Sequence, residues 1–415
     1  MQKKRAICLA GGGPAAGLHI GVLKGLKKSG ISFDSKDDVW ALSCIGAWVG
    51  VAYNQAEKGN EIAETIKFFK NVFRDDKSFE SFPTNTIFAP DWFGNAEAMM
   101  NFMLEPRNYR NAIVPKQIVE SFLYTLKAIG GRIKSGDLFS EGDFNRWTLN
   151  HVLAVNPVVR FWTAMIYKSH VTGLARLYYP DSGFLNDIKW EKLNDKANTK
   201  PFIYHNAWNL TSKTLALFAN RTDVSTNGKK IHDYKPINAA SLCACSALPF
   251  IEQTVKIDGD TYCEGALIDT VNFDRLLEDN PDVEEIWISR LLDAKKIPAQ
   301  QNLYDAQANL CELFAATVGE DDIKIFLDRF KAEPKWQGKK IIEVPVSAIN
   351  FEWSHSNLEL GIENGEQAAE KAFARYEKEK NNLQPIIKAP PDEIEQARKS
   401  SQRAREQIKA LRAAS

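Results

Sequence analysis

Val39-Trp-Ala-Leu-Ser-Cys-Ile-Gly-Ala-Trp-Val-Gly50 is an apolar run that turns once and continues as a segment opened by small residues. It reads as a strand over 38–43, a sharp elbow with Cys44 at its tip, and a helix over 45–55. Upstream, 4–10 is a second apolar strand and Gly11-Gly12-Gly13 a turn. A helix follows over 18–27, with Leu18, Val22, Leu23 and Leu26 on one face. Strand, glycine turn, helix, strand, elbow, helix is the opening of an α/β layer architecture with a mostly parallel sheet. Further strands are expected at 202–208, 215–218, 285–289 and 340–344.

The 415 residues carry 53 basic and 53 acidic side chains, a balance that gives no global pull toward nucleic acid. No uncharged apolar stretch reaches the roughly 18 residues of a membrane span, and the apolar run at 6–10 is too short for a secretory core. The six cysteines lack Cys-x-x-Cys spacing and read as reduced thiols rather than a disulfide framework or zinc site. The histidines are scattered, so no metal site and no cofactor is expected. The expected setting is the cytoplasm.

Between 57 and 200 the texture changes to aromatic- and Asn-rich sequence, with Phe82-Pro83, Trp92-Phe93, Trp147, Phe161-Trp162 and Tyr178-Tyr179. This stretch reads as a helical insertion, a cap on a domain spanning 1–384. Its most apolar part, 157–167, supplies either the insertion's own core, or an acyl-chain tunnel or a surface for peripheral contact with a membrane or lipid layer. Beyond Pro390-Pro391 the 385–415 extension is a charged helix with only Ile394, Ile408 and Leu411 strongly apolar. It is expected to be solvated or to strap a homo-oligomer together.

Cleaving an ester needs a nucleophile, a proton acceptor and donors for the developing oxyanion. The backbone N–H groups of Gly11, Gly12 and Gly13 are the candidate donors. Cys44 is the candidate nucleophile, and its place at a helix N-terminus is expected to lower the thiol pKa from about 8.5 toward neutrality. Downstream, Asn238-Ala-Ala-Ser-Leu-Cys-Ala-Cys-Ser-Ala-Leu-Pro249 is a small-residue helix ending at proline. It leads into a hairpin around Asp258-Gly259 that ends at Glu264-Gly265.

With those four motifs in order, the chain resembles the patatin-like phospholipase family. Gly11-Gly12-Gly13 followed by His19-Ile20-Gly21-Val22-Leu23 matches the family's oxyanion loop and helix. The elbow and the acid-bearing hairpin match its Gly-x-Ser-x-Gly and Asp-Gly segments. The resemblance covers 5–55 and about 200–290 and implies a three-layer patatin-like sandwich acting on lipid-like esters or thioesters. Several departures stand out. Leu42-Ser43-Cys44-Ile45-Gly46 replaces Gly-x-Ser-x-Gly, so Cys44 takes the place of the family's serine; Glu264 replaces its aspartate; Ala15 and Ala16 stand where the family usually has arginine and glycine. Carried over, Cys44 is the nucleophile and Glu264 the general base of an acyl hydrolase working through an S-acyl cysteine. The same intermediate serves an acyltransferase, and loss of chemistry would leave an acyl-binding scaffold.

A carboxylate beside the thiol acts against the helix dipole, because adjacent anions repel. Ser43 at the tip would set Gly46 and Ala47 one place too far from the nucleophile. Asp269 is the alternative acid, and His19 and His205 read as structural. Gly11-x-Gly13-x-x-Ala16 with Asp34 also fits a dinucleotide fingerprint, but that reading leaves Cys44 and Glu264 unexplained.

Overall fold

The computed structural model describes residues 3–414 apart from 74, 82–91, 136–139, 171–172, 176–182, 195–198, 223–224, 227–228, 231–232, 274, 292–298, 300–302, 335–337 and 383–385. Phe82-Pro83 and Tyr178-Tyr179 lie outside the described residues. Two compact units result, 1–89 with 176–415 and 90–175, the second falling inside the 57–200 segment.

The larger unit is built on a ten-stranded sheet. Its strands are β1 (Arg5–Leu9), β2 (Val39–Leu42), β3 (Phe202–Asn209), β4 (Thr214–Ala219), β5 (Lys235–Pro236), β6 (Val255–Ile257), β7 (Asp260–Glu264), β8 (Glu285–Leu291), β9 (Lys340–Val346) and β10 (Ile386–Ile387). The order along the sheet is β6-β7-β3-β2-β1-β8-β9-β10, with β4 on β3 and β5 on β4. From β3 through β10 every pairing is parallel. The antiparallel pairs are β3 with β4, β3 with β7, and β6 with β7.

Both faces of this sheet are covered, which is why its strands read as unbroken apolar runs rather than alternating ones. On β1, Ile7 and Leu9 enter one core with Trp40, Leu42, Trp287 and Ile342, while Ala6 and Cys8 enter a second with Val39, Tyr204, Ile286 and Ile288. The first core is closed by α1 (Ala16–Lys28), α2 (Ile45–Gln55) and α5 (His355–Glu379); α4 (Leu303–Ala332) brings Phe326 and Phe330 to the second. A short helix, α3 (Ala239–Cys245), carries a capping box in which Asn238 and Ser241 satisfy each other's backbone N–H groups. The sandwich is therefore three-layered, as the motif order implied.

The C-terminal helix α6 (Pro391–Ala414) departs from expectation. It is not solvated all round, because one ridge of it packs on the rest of its unit. Ser401, Ala404 and Ile408 are buried, the last two against Ile349. Arg412 pairs with Glu352 at 2.6 Å, and Glu393 pairs with Arg375 of α5. Small residues make this ridge, so hydrophobic periodicity does not reveal it. Ile408→Ala should lower unfolding free energy by about 2 kcal/mol in urea titration, the low end for a buried Ile truncation because the cluster is small.

The 90–175 unit is helical, with helices at Trp92–Leu104, Pro106–Ala112, Pro115–Ser135, Glu141–Trp147 and Pro157–Lys168. Two of its starts follow from capping chemistry. Glu105 accepts the N–H of Arg107 ahead of Pro106, and Asn156 accepts those of Val158 and Val159 around Pro157. Among the described residues no helix is long and apolar enough to cross a membrane.

Candidate active site

β2 and β7 lie along the same edge of β3 but run toward each other. β2 is parallel to β3 and ends with Leu42 opposite His205; β7 is antiparallel and ends with Glu264 opposite Ala207. Their C-terminal ends meet at Asn206, and both chains turn out of the sheet there. This end-to-end meeting brings Cys44 and Glu264 together from positions 220 residues apart.

Asn206 braces the junction. Its side-chain oxygen accepts the Ser43 hydroxyl at 3.0 Å, and its amide nitrogen donates to the Asp269 carbonyl at 2.7 Å. Ser43 is thus bound beneath the turn, and Cys44 is the residue at the tip. Gly265 passes so close that a Cβ there would stand 2.5 Å from the Asn206 side-chain oxygen and 2.8 Å from its carbonyl carbon. Glycine at 265 is therefore a packing requirement. Gly265→Ala should cost about 1–3 kcal/mol of stability by thermal melting and shift the Glu264 carboxyl off the thiol.

Cys44 has φ 48° and ψ −124°, a backbone conformation that a residue with a Cβ adopts at a cost of roughly 1–3 kcal/mol. Several contacts hold it there. The Cys44 N–H donates to Cys245 Sγ at 3.1 Å, and the Gly46 N–H closes the turn onto Ser43 O at 2.9 Å. Gly46 lies on Leu9, whose carbonyl oxygen would be 2.1 Å from an added Cβ. The first turn of α2 can sit on β1 only with glycine there.

The side chain of Cys44 is 8% exposed and lies close enough to Glu264 for the two to act on each other's ionisation. Burial pushes the thiol well above its usual pKa, and the neighbouring Glu264 charge pushes it further; the Ile45 N–H at the start of α2 acts the other way but is outweighed. The expected depression toward neutrality is overturned for this reason. Desolvation and a like charge each outweigh one helix N-terminus in a dry site. Burial also raises the Glu264 carboxyl, to about 7, against the opposing effect of the Cys44 hydrogen bond. At rest the pair is a neutral thiol beside a carboxyl that is half ionised near neutral pH.

The glycine turn lies against this pair. A Cβ on Gly11 would sit 3.2 Å from that of Cys44. The Gly11 N–H reaches the Thr270 carbonyl at 3.3 Å, whereas the N–H groups of Gly12 and Gly13 meet no acceptor among the described residues. His19 secures the turn from behind, with Nε2 at 2.9 Å from Ala10 O and Nδ1 at 2.8 Å from Ser289 Oγ. A carbonyl can only accept, so Nε2 carries the proton. Burial lowers the His19 pKa to about 4, keeping the ring neutral and the bridge intact at physiological pH.

The other candidates are engaged in contacts of their own. His205 is buried, lowered to about 4 by desolvation, bonded to Ser241 Oγ at 3.2 Å and stacked on Phe218. Asp269 accepts the Asn272 N–H at 2.6 Å, and its carbonyl serves Asn206. Sequence reasoning missed Cys245 and Asn206. The available signals were a second cysteine on the small-residue helix and an asparagine inside a buried strand. Among the described residues no group of three or more His, Cys, Asp or Glu side chains is arranged to hold a metal ion.

Comparison with known proteins gives a family model, patatin-like phospholipase, matching residues 7–277. Among solved structures the chain is similar to VipD from Legionella pneumophila. The identity is 14% and the TM-score 0.37, over 97% of this chain and 75% of that one. No curated protein matches.

Proposed function

This chain belongs to the patatin-like phospholipase family, and we propose from that premise that it cleaves lipid-like acyl esters through an S-acyl intermediate on Cys44. The family match supports lipid acyl hydrolase activity in general. The cysteine mechanism rests on one observation, the meeting of the Cys44 thiol and the Glu264 carboxyl where β2 and β7 end, close enough for each to shift the other's ionisation.

In this reading Glu264 accepts the thiol proton as Sγ attacks the ester carbonyl. The carbonyl oxygen becomes an oxyanion met by the N–H groups of Gly12 and Gly13, with Gly11 shaping the wall beside Cys44. Collapse expels the alcohol, which takes the proton back from Glu264 and leaves a thioester. Water then attacks the thioester, giving its proton to Glu264. The acid departs and the thiolate regains its proton.

The test is intact-mass spectrometry after brief incubation with short and long p-nitrophenyl esters, followed by peptide mapping. A transient acyl adduct on Cys44, absent from Cys44→Ala, is the expected result. Adding an alcohol acceptor separates hydrolysis from transfer, since a transferase would yield the new ester. No adduct and no nitrophenol release would leave the acyl-binding scaffold as the surviving reading.

A further inference from the structure

The helix Pro115–Ser135 is amphipathic the wrong way round. Its inward side bonds to the rest of its own unit through polar groups: Ser121, buried, shares a 3.2 Å hydrogen bond with His151, and Thr125 accepts the Trp147 indole N–H at 3.1 Å. Val119, Phe122, Leu126 and Ile129 follow the three- and four-residue spacing of one helical stripe, yet they stand exposed. Trp162 and Ile166 do the same on the helix Pro157–Lys168, and these six side chains are between 43% and 63% exposed. Single exposed apolar residues need no explanation, but aligned stripes on two helices of one unit do.

Charge says what covers them. The helices Pro106–Ala112, Pro115–Ser135 and Pro157–Lys168 contain two, four and two basic residues, eight in all. Within the three helices stands one acidic residue, Glu120, 3.8 Å from Lys116, and Glu105, which caps the first of them, lies 3.9 Å from Arg107. Over the whole chain the charges cancel, so this concentration is local. Two copies of such a face would repel. A nucleic acid would satisfy the cations and leave Phe122 and Trp162 in water. An anionic lipid layer satisfies both, taking the apolar side chains below its headgroups and the lysines and arginines at them.

We infer that these helices form a docking surface for an anionic lipid layer, an inference that rests on the lipid-hydrolase reading for its choice of ligand.

The test uses the full chain and vesicles of either phosphatidylglycerol and phosphatidylcholine in equal parts or phosphatidylcholine alone, read by co-sedimentation. The parent should bind the anionic vesicles about tenfold or more tightly than the neutral ones, and less so as salt rises. Phe122→Ser with Leu126→Ser, and separately Lys116→Glu with Lys127→Glu, should each lower binding by about tenfold or more. Both pairs should keep the parent's rate on a soluble short-chain p-nitrophenyl ester, because none of these residues belongs to the Cys44 site. Absence of binding, or equal binding by parent and variants, would overturn the inference. So would a dimer in size-exclusion light scattering that the same substitutions dissolve, since a second copy would then be the cover. The soluble ester separates the two readings: cleavage without vesicle binding removes only the docking surface, and binding without cleavage removes only the hydrolase.

Discussion

Cys44→Ala is expected to lower kcat on a soluble ester by at least about a thousandfold, with Glu264 and the glycine turn still in place. The truncation removes the atom proposed to form the acyl bond, and the surrounding geometry does not depend on it. The backbone at residue 44 is held through its own N–H on Cys245 Sγ and through the Gly46–Ser43 turn, neither of which uses the Cys44 side chain. Melting temperature should therefore stay close to the parent's.

Cys44→Ser is the informative companion. In a site with a preformed thiolate, serine loses nearly everything, because no base is placed to ionise a hydroxyl. Here burial and Glu264 keep the thiol protonated at rest, so the proposed mechanism is base-assisted attack. Serine should retain measurable turnover, between about tenfold and a thousandfold below the parent. Iodoacetamide should inactivate the parent slowly at neutral pH for the same reason, since the thiolate is the alkylated form. A Cys44→Ala enzyme as fast as the parent would remove Cys44 from the mechanism.

The elbow was legible because its constraints are local. Gly46 must follow Cys44 by two residues for α2 to lie on Leu9, and the sequence states that spacing outright. The parallel sheet was legible because strands covered on both faces leave unbroken apolar runs. The ionisation of Cys44 was not legible, because its direction depends on how completely two distant segments exclude water. A helix N-terminus is visible in sequence; the depth at which it lies is not. Asn206 escaped notice because one polar residue in a buried strand has no periodic signature. Its meaning emerges only when β2 and β7 are seen to end on either side of it. The ridge of α6 escaped for a related reason, since Ser401 and Ala404 are buried by close approach rather than by hydrophobicity.

Glu264→Gln should remove most turnover and at the same time stabilise the protein at alkaline pH, a combination that a merely structural glutamate would not give. The carboxyl is pushed up to about 7 in the folded chain by burial, against about 4.3 in an unfolded one. Between those values the folded protein holds a proton that the unfolded chain has released. Raising the pH through that window therefore costs stability, in total on the order of 3 kcal/mol, most of it lost by pH 7 and all of it by about pH 8. Glutamine keeps an acceptor for the thiol and never ionises, so it escapes this loss. The variant should melt several degrees above the parent at pH 8 and together with it near pH 4, where both side chains are neutral. Activity should run the other way. In the parent kcat/KM should rise with pH through about 7 as Glu264 becomes able to accept the thiol proton. In the variant that limb should vanish, with the residual rate about a hundredfold or more lower. Melting curves at both pH values, set beside the pH–rate profile, check the pair of effects together. Equal melting temperatures at pH 8, or a rising limb that survives in glutamine, would mean that the group titrating near 7 is not Glu264. In the proposed mechanism the destabilising burial of this carboxyl and its use as a base are one property: the site holds an acid where its ionised form is poorly tolerated, so the charge would readily be given up to a proton from sulfur.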